Sequence, residues 1–141
     1  KMSPSYHHAY VCSKLSAAFN NLEHYAAFSE LTLQIQGKDY IPDLVLYPKR
    51  PIDFTGEDIV KMTEIPVVIV EVLSPSQAAQ DILSKFPVYF DAGVKACWLV
   101  VPISTSVIIY TAMNRGQIFK TGAVLDPILG TPIALDAIFG Q

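Results

Sequence analysis

Two carboxylates stand where the surrounding sequence pattern is apolar. Glu71 lies in the segment VVIVEVL, residues 67–73, which has no other polar side chain. A buried carboxylate is costly unless it is protonated, paired or bound to a metal. Asp43 follows Pro42 in YIPDLVLY, residues 40–47, where the proline removes one ladder donor, so we expect a local break or an edge position. If the two carboxylates converge, they are hard oxygen ligands of the kind that bind magnesium or manganese.

Two further charged residues could complete such a site. Lys85 follows the Glu71 strand in a predicted helix, and a lysine facing two carboxylates can stabilise charge on an attacked phosphate or orient the attacking water. Glu30 lies on the polar face of a neighbouring strand and could be a third carboxylate ligand. Each has a plainer interpretation: Lys85 can form a surface i, i+4 pair with Asp81, and polar residues on one hairpin face are common.

The same choice applies to the other site candidates. Glu71 could be a structural carboxylate paired with a lysine, and Asp43 an ordinary turn aspartate after proline. His7 and His8 are adjacent at the start of the first helix, so they do not share a face and are typical of surface or capping histidines. Three aromatic residues with apolar neighbours, Trp98, Tyr89 and Phe90, indicate core packing rather than base-stacking platforms.

The predicted elements must bring these residues together. Apolar residues at helical spacing predict a first helix from the Ser3-Pro4-Ser5 segment to Glu23. Alternation and apolar runs predict strands at 28–36, 40–47, 67–73, 96–101, 107–112 and 117–124. A helix is expected at 77–92, capped by Ser76, kinked at Pro87 and ended by Gly93. Residues 49–66 indicate a connection with at most a short helical turn, and 133–139 a closing helical turn.

A hairpin followed by a strand-helix-strand crossover favours one α/β fold with a mixed central sheet and helices on its faces. The length of 141 residues and the apolar content of 51% fit a single domain, 1–141, with one substantial core. The chain begins Lys1-Met2-Ser3-Pro4, so we expect that residues upstream are missing.

These residues resemble the PD-(D/E)XK signature of the restriction-endonuclease-like superfamily, in Pro42-Asp43 and Glu71-Val72-Leu73. More closely, the chain is similar to the small restriction endonucleases common in cyanobacteria. That likeness spans about 100 residues, in order, and is carried by Met2-Ser3-Pro4, His8, Pro42-Asp43-Leu44-Val45, Val70-Glu71-Val72-Leu73-Ser74-Pro75-Ser76, Asp81, Lys85, Tyr89, Gly93-Val94 and Trp98-Leu99.

The resemblance implies a restriction-endonuclease-like core and hydrolysis of DNA phosphodiester bonds by a metal-activated water. It implies magnesium or manganese at Asp43 and Glu71, with the Val72 carbonyl as a further ligand. Leu73 stands where the superfamily usually has its lysine, and Lys85 matches the lysine that replaces it from the following helix. His8 matches a histidine of the family and, with Asp81, is an auxiliary candidate.

Composition tests this hypothesis. The formal charge of −3, the pI near 5.5 and the scattered basic residues count against a nucleic-acid partner, although bound cations would make the site more positive. Only 16% of residues are charged, which favours a self-association face, and restriction-type enzymes are often homodimers. Two cysteines without a CxxC pair and the lack of a long apolar run fit a cytoplasmic protein that makes no membrane contact.

A second hypothesis is a catalytically weak or inactive nuclease fold that serves as a dimeric interaction module. Low surface charge and the apolar strands near the C-terminus suit it. Basic residues clustered on the site face would favour the enzyme, whereas hydrophobic side chains plugging the site would favour the module.

Overall fold

A computed structural model describes residues 4–140, so Ser3 of the predicted helix entry lies outside the described residues. The helices are α1 (Tyr6–Asn20), α2 (Ala79–Leu83), α3 (Phe86–Ala92) and α4 (Leu135–Phe139). The strands are β1 (Tyr25–Ser29), β2 (Leu33–Ile35), β3 (Lys38–Tyr40), β4 (Leu44–Pro48), β5 (Val68–Val72), β6 (Ala96–Val101), β7 (Ser106–Ala112), β8 (Arg115–Phe119), β9 (Ala123–Val124) and β10 (Ile133–Ala134).

A six-stranded mixed sheet in the order β1-β4-β5-β6-β7-β8 forms the centre of the fold. Its β5–β6 pair is parallel, as the predicted crossover requires, and the other neighbouring pairs are antiparallel. The β2–β3 and β9–β10 hairpins form two small separate sheets. The predicted α/β architecture, a central mixed sheet flanked by helices, is therefore confirmed.

Strand alternation divides the core between the two faces of the sheet. Val68, Val70 and Val72 of β5 pack on the face covered by α1 and α4, and Ile69 packs on the face covered by α2 and α3. Glu71 therefore belongs by alternation to the α2–α3 face. The strands are apolar on both faces because each face of the sheet has its own helical layer.

The strands predicted at 28–36 and 40–47 were expected to be continuous, and this is wrong because each is interrupted. Glu30 has φ 51° and Gln36 has φ 52°, and these left-handed conformations end β1 and β2 because an extended ladder cannot contain them. The break expected at Pro42 is confirmed, since β3 ends at Tyr40 and β4 begins at Leu44. β1 pairs with β4 in the main sheet, while β2 and β3 fold over as a separate hairpin.

The single kinked helix predicted at 77–92 is also wrong, because α2 and α3 are separate helices joined at Ser84 and Lys85. Pro87 lies in the first turn of α3, where a missing N–H costs nothing. Ser76 is not the cap: α2 begins after Ala78, whose N–H donates to the Asp81 carboxylate over 3.2 Å. Gly93 ends α3 with φ 113°, as predicted.

Smaller differences occur at the ends of the chain. α1 stops at Asn20, three residues before the predicted end. The strand predicted at 117–124 is two strands, β8 and β9, in different sheets, and the closing helical turn at 133–139 begins as strand β10 before α4. Residues 49–66 form a connection with a turn at 54–55 and no helix.

No helix within residues 4–140 has both the length and the apolar character that a membrane crossing requires.

Candidate active site

Asp43 and Glu71 lie opposite each other on adjacent strands. The register of β4 and β5 pairs Leu44 with Val70, and one further step along both strands places Asp43 opposite Glu71. The Asp43 main-chain N–H donates to Glu71 Oε1 over 3.2 Å. Both side chains are buried, 6% and 5% exposed respectively, so the sheet brings two acidic groups together with little solvent around them.

The Asp43 carboxylate is held by groups from two elements. Its Oδ2 accepts the Val72 N–H of β5 over 2.7 Å and lies 3.2 Å from His8 Nε2 of α1. His8 is 7% exposed and belongs to the buried face of its helix. Because Pro42 ends the preceding ladder, Asp43 can turn its side chain toward these partners instead of continuing the β3 strand.

Glu71 meets the α2–α3 layer through its other oxygen. Lys85 Nζ lies 3.8 Å from Glu71 Oε2, and the Tyr89 hydroxyl donates to the same oxygen over 3.5 Å. Burial, reinforced by the nearby charge of Glu71, raises the pKa of the Tyr89 hydroxyl. Tyr89 therefore keeps its proton and remains a donor. The Lys85 side chain is 40% exposed and can move between Glu71 and an incoming group.

A cavity of about 440 Å³ opens over these groups. Its lining is Pro4, His8, Asp39, Tyr40, Ile41, Asp43, Glu71, Ser74, Gln77 and Lys85. This one cavity thus brings together four of the site residues expected from the sequence: Asp43, Glu71, Lys85 and His8. Gln77 also reaches it and is tied to the Ser74 hydroxyl, which donates to Gln77 Oε1 over 3.4 Å. The cavity is open and partly polar, so hydrophobic side chains do not plug it.

Two of the other candidates lie farther out. Glu30 is exposed and lines an adjacent cavity of about 310 Å³, which shares Pro4, His8 and Asp43 with the first. It approaches Asp43 through the main chain, since its N–H donates to the Asp43 carbonyl over 3.1 Å. Asp81 lines neither of these two cavities and caps α2. The break at Ser84 removes the single helical face on which an Asp81–Lys85 pair was expected.

Two contacts were missed by the sequence reasoning. Tyr89 was assigned to the core, and its ring is buried, but its hydroxyl contacts Glu71. Cys12 lies one helical turn after His8, with Sγ 3.7 Å from His8 Nδ1. The i, i+4 spacing of His8 and Cys12 was visible in the sequence and places both on one face of a helix.

The residues of the larger cavity suit a hard divalent cation. Asp43 and Glu71 supply two buried carboxylate groups to this cavity. Oxygen donors that leave room for water are the ligands that magnesium prefers, so the donor set fits the metal implied by the resemblance.

The mixed central sheet and its flanking helices have a match among solved structures. A solved structure with this fold is described as "a putative nuclease belonging to DUF820" from Anabaena variabilis ATCC 29413. The two structures superpose with a TM-score of 0.85 at 20% sequence identity, over 99% of this chain and 84% of the other. At that identity the likeness establishes the fold.

The family follows from the sequence itself. The model of the Uma2 family, described as "Putative restriction endonuclease", matches residues 1–135. The chain belongs to this family, which confirms the family expected from the sequence. Comparison with curated proteins finds no match.

Proposed function

We propose that the protein is a magnesium-dependent endonuclease that hydrolyses DNA phosphodiester bonds, with Asp43 and Glu71 as metal ligands and Lys85 as the catalytic cation. The family match supports nuclease-like chemistry. The observation that carries the proposal is the convergence of these three side chains in one cavity, with Lys85 Nζ 3.8 Å from Glu71 Oε2. Manganese would satisfy the same oxygen ligands.

Each side chain has a role in this proposal. Bound magnesium would supply a Lewis acid beside the scissile phosphate and lower the pKa of water next to it. Asp43 and Glu71 hold the cation, and the Val72 N–H and His8 fix the Asp43 carboxylate. Lys85, half-exposed at the cavity wall, turns its ammonium group to the phosphate and stabilises the charge that develops there.

The remaining candidates have supporting roles. The Val72 N–H donates to Asp43, and the Val72 carbonyl is proposed as a further metal ligand because the resemblance implies it. Glu30, at the wall of the adjacent cavity, is an outer ligand reached through water. His8 is a positioning residue, because it acts on Asp43 and not on the substrate. Asp81 positions Lys85 indirectly by capping the helix that precedes it.

We also propose that two copies pair to cut both strands of a duplex. β8 is the last strand of the central sheet and exposes Ile118, which is 58% accessible. An edge strand of this kind can add to a second sheet. Light scattering coupled to size-exclusion chromatography measures the mass directly: twice 15.5 kDa is expected, and a monomer at all concentrations would contradict the pairing.

An acidic cavity also favours a second candidate, an inactive module that keeps the fold. Within residues 4–140 the cavity lining includes three carboxylates, from Asp39, Asp43 and Glu71, and one lysine, and Asp39 also has a lysine partner outside the lining, Lys61 at 2.9 Å. An acidic lining of this kind disfavours DNA until cations are bound. An inactive module would neither cleave DNA nor bind divalent ions at these carboxylates.

Nicking of supercoiled plasmid separates the two candidates. The wild type should nick plasmid with magnesium and be inactive with EDTA. Asp43→Asn should be inactive in magnesium, whereas Asp91→Asn, an exposed acid on α3, should retain wild-type nicking. No nicking by the wild type with magnesium or manganese, on duplex or single-stranded DNA, would favour the module.

A further inference from the structure

A second cluster of metal-binding atoms lies on the α1 side of Asp43. His8, Cys12 and Asp43 each offer one ligand atom, and the three atoms lie within 4.8 Å of one another. His8 and Asp43 are buried and Cys12 is half-buried. Cys12 also lines the adjacent 310 Å³ cavity with both partners, so the cluster borders space in which an ion and a water ligand can fit.

The chemistry of this cluster differs from that of Asp43 and Glu71. A thiolate and an imidazole are soft or borderline ligands, which select zinc or cobalt over magnesium. Zinc in proteins is commonly held by Cys, His and Asp at about 2.0–2.3 Å in tetrahedral geometry. That geometry separates ligand atoms by about 3.3–3.6 Å. His8 presents Nδ1 to Cys12 and Nε2 to Asp43, so side-chain rotations must bring one ring nitrogen, the thiolate and the carboxylate onto a single ion.

We propose that His8, Cys12 and Asp43 form a zinc-binding inhibitory site. Asp43 belongs both to this cluster and to the pair with Glu71, so one carboxylate serves two metals of different character. Zinc bound on the α1 side draws Asp43 away from magnesium and stops cleavage. The inhibitory step rests on the proposed nuclease function, whereas the binding step does not.

Cobalt is the probe for binding, because a thiolate-bound cobalt ion gives a charge-transfer absorption in the near ultraviolet. The reduced wild-type protein should develop this band and saturate at about one equivalent, and zinc should displace it. Cys12→Ser should lose the band. Cys97→Ser is the matched control, since Cys97 is buried in β6 on the α2–α3 face of the sheet, and it should keep the band. Glu71→Gln should keep it too.

Cys12→Ser should weaken the affinity for cobalt by more than roughly 10–100-fold, which is the cost of removing a residue that only supports a metal ligand. A wild type without the band, or a Cys12→Ser variant that retains it while folded by circular dichroism, would overturn the site.

In magnesium-driven plasmid nicking, micromolar zinc should inhibit the wild type at least tenfold more than Cys12→Ser, each relative to its own rate. Equal inhibition would overturn the inhibitory role. Absence of nicking throughout would refute the nuclease proposal while the cobalt spectrum still decides the site.

Discussion

Replacing Lys85 by alanine should reduce cleavage far more than it reduces stability. At 3.8 Å from Glu71 Oε2, the raw Coulomb attraction is about 4 kcal/mol at an effective dielectric of 20. Because the lysine is 40% exposed, screening and side-chain entropy reduce its net contribution to folding to about 1 kcal/mol or less. A preorganised donor facing developing charge is worth about 10²–10³-fold in rate, or 2.7–4 kcal/mol.

The assay is the initial rate of plasmid nicking at saturating magnesium, beside thermal unfolding of the same samples. Lys85→Ala should lower the rate at least about 100-fold and the Tm by no more than about 4 °C. Lys85→Arg, which keeps the charge, should retain more activity than Lys85→Ala. Lys95→Ala, an exposed lysine before β6, should match the wild type. A Lys85→Ala rate within about threefold of the wild type would refute the catalytic role assigned from the geometry.

Three further predictions concern one residue that contacts the site, Tyr89, and two buried polar groups elsewhere in the fold, Tyr47 and Asp126. Tyr89→Phe removes the hydroxyl donor to Glu71 and should weaken manganese binding about tenfold in calorimetry with the fold intact; unchanged affinity would contradict a positioning role. Burial raises the pKa of Tyr47 to about 12, so unfolded chains ionise this group first, and stability should fall between about pH 10 and pH 12, by less than about 3 kcal/mol. In urea unfolding, Tyr47→Phe should lose less stability than the wild type between about pH 10 and pH 12. An equal loss in the two proteins would refute the effect assigned to Tyr47. Asp126→Ala removes the acceptor 2.6 Å from Trp98 Nε1 and should cost about 3 kcal/mol in urea unfolding without changing manganese affinity, whereas a loss below about 1 kcal/mol would contradict a structural role.

The sequence predicted the parts of the fold that depend on regular patterning. The apolar run around Glu71 indicated a strand covered on both faces, and β5 lies between β4 and β6 under both helical layers. Glycine at position 93 marked the end of a helix because its left-handed conformation suits glycine. These signals are local, so one segment is enough to show them.

The breaks in the elements were harder to predict. Glu30 and Gln36 adopt positive φ values that their residue types do not announce, and the resulting split of one hairpin into two depends on which strand each half meets. Pro87 indicated an irregularity, but a kink and a new helix start share the same signature. Tertiary packing makes that choice.

The candidate site was also predictable from the sequence only in part. Glu71 was identifiable because a carboxylate in an apolar strand needs a partner, and Asp43 because proline breaks the strand before it. The identity of the partners was not accessible from spacing alone: Tyr89 looked like a core residue, and the contact of Lys85 with Glu71 depends on the break between α2 and α3. Patterning locates the acids, and the packing of helices on the sheet selects what contacts them.

The most direct test of the central claim is calorimetric titration of magnesium and manganese into the wild type, Asp43→Ala and Glu71→Ala. We expect the wild type to bind divalent ions and either substitution to abolish the binding, with all three proteins folded. A wild type that binds neither ion at millimolar concentration, or binding that survives in both variants, would contradict the assignment of Asp43 and Glu71 as the metal centre.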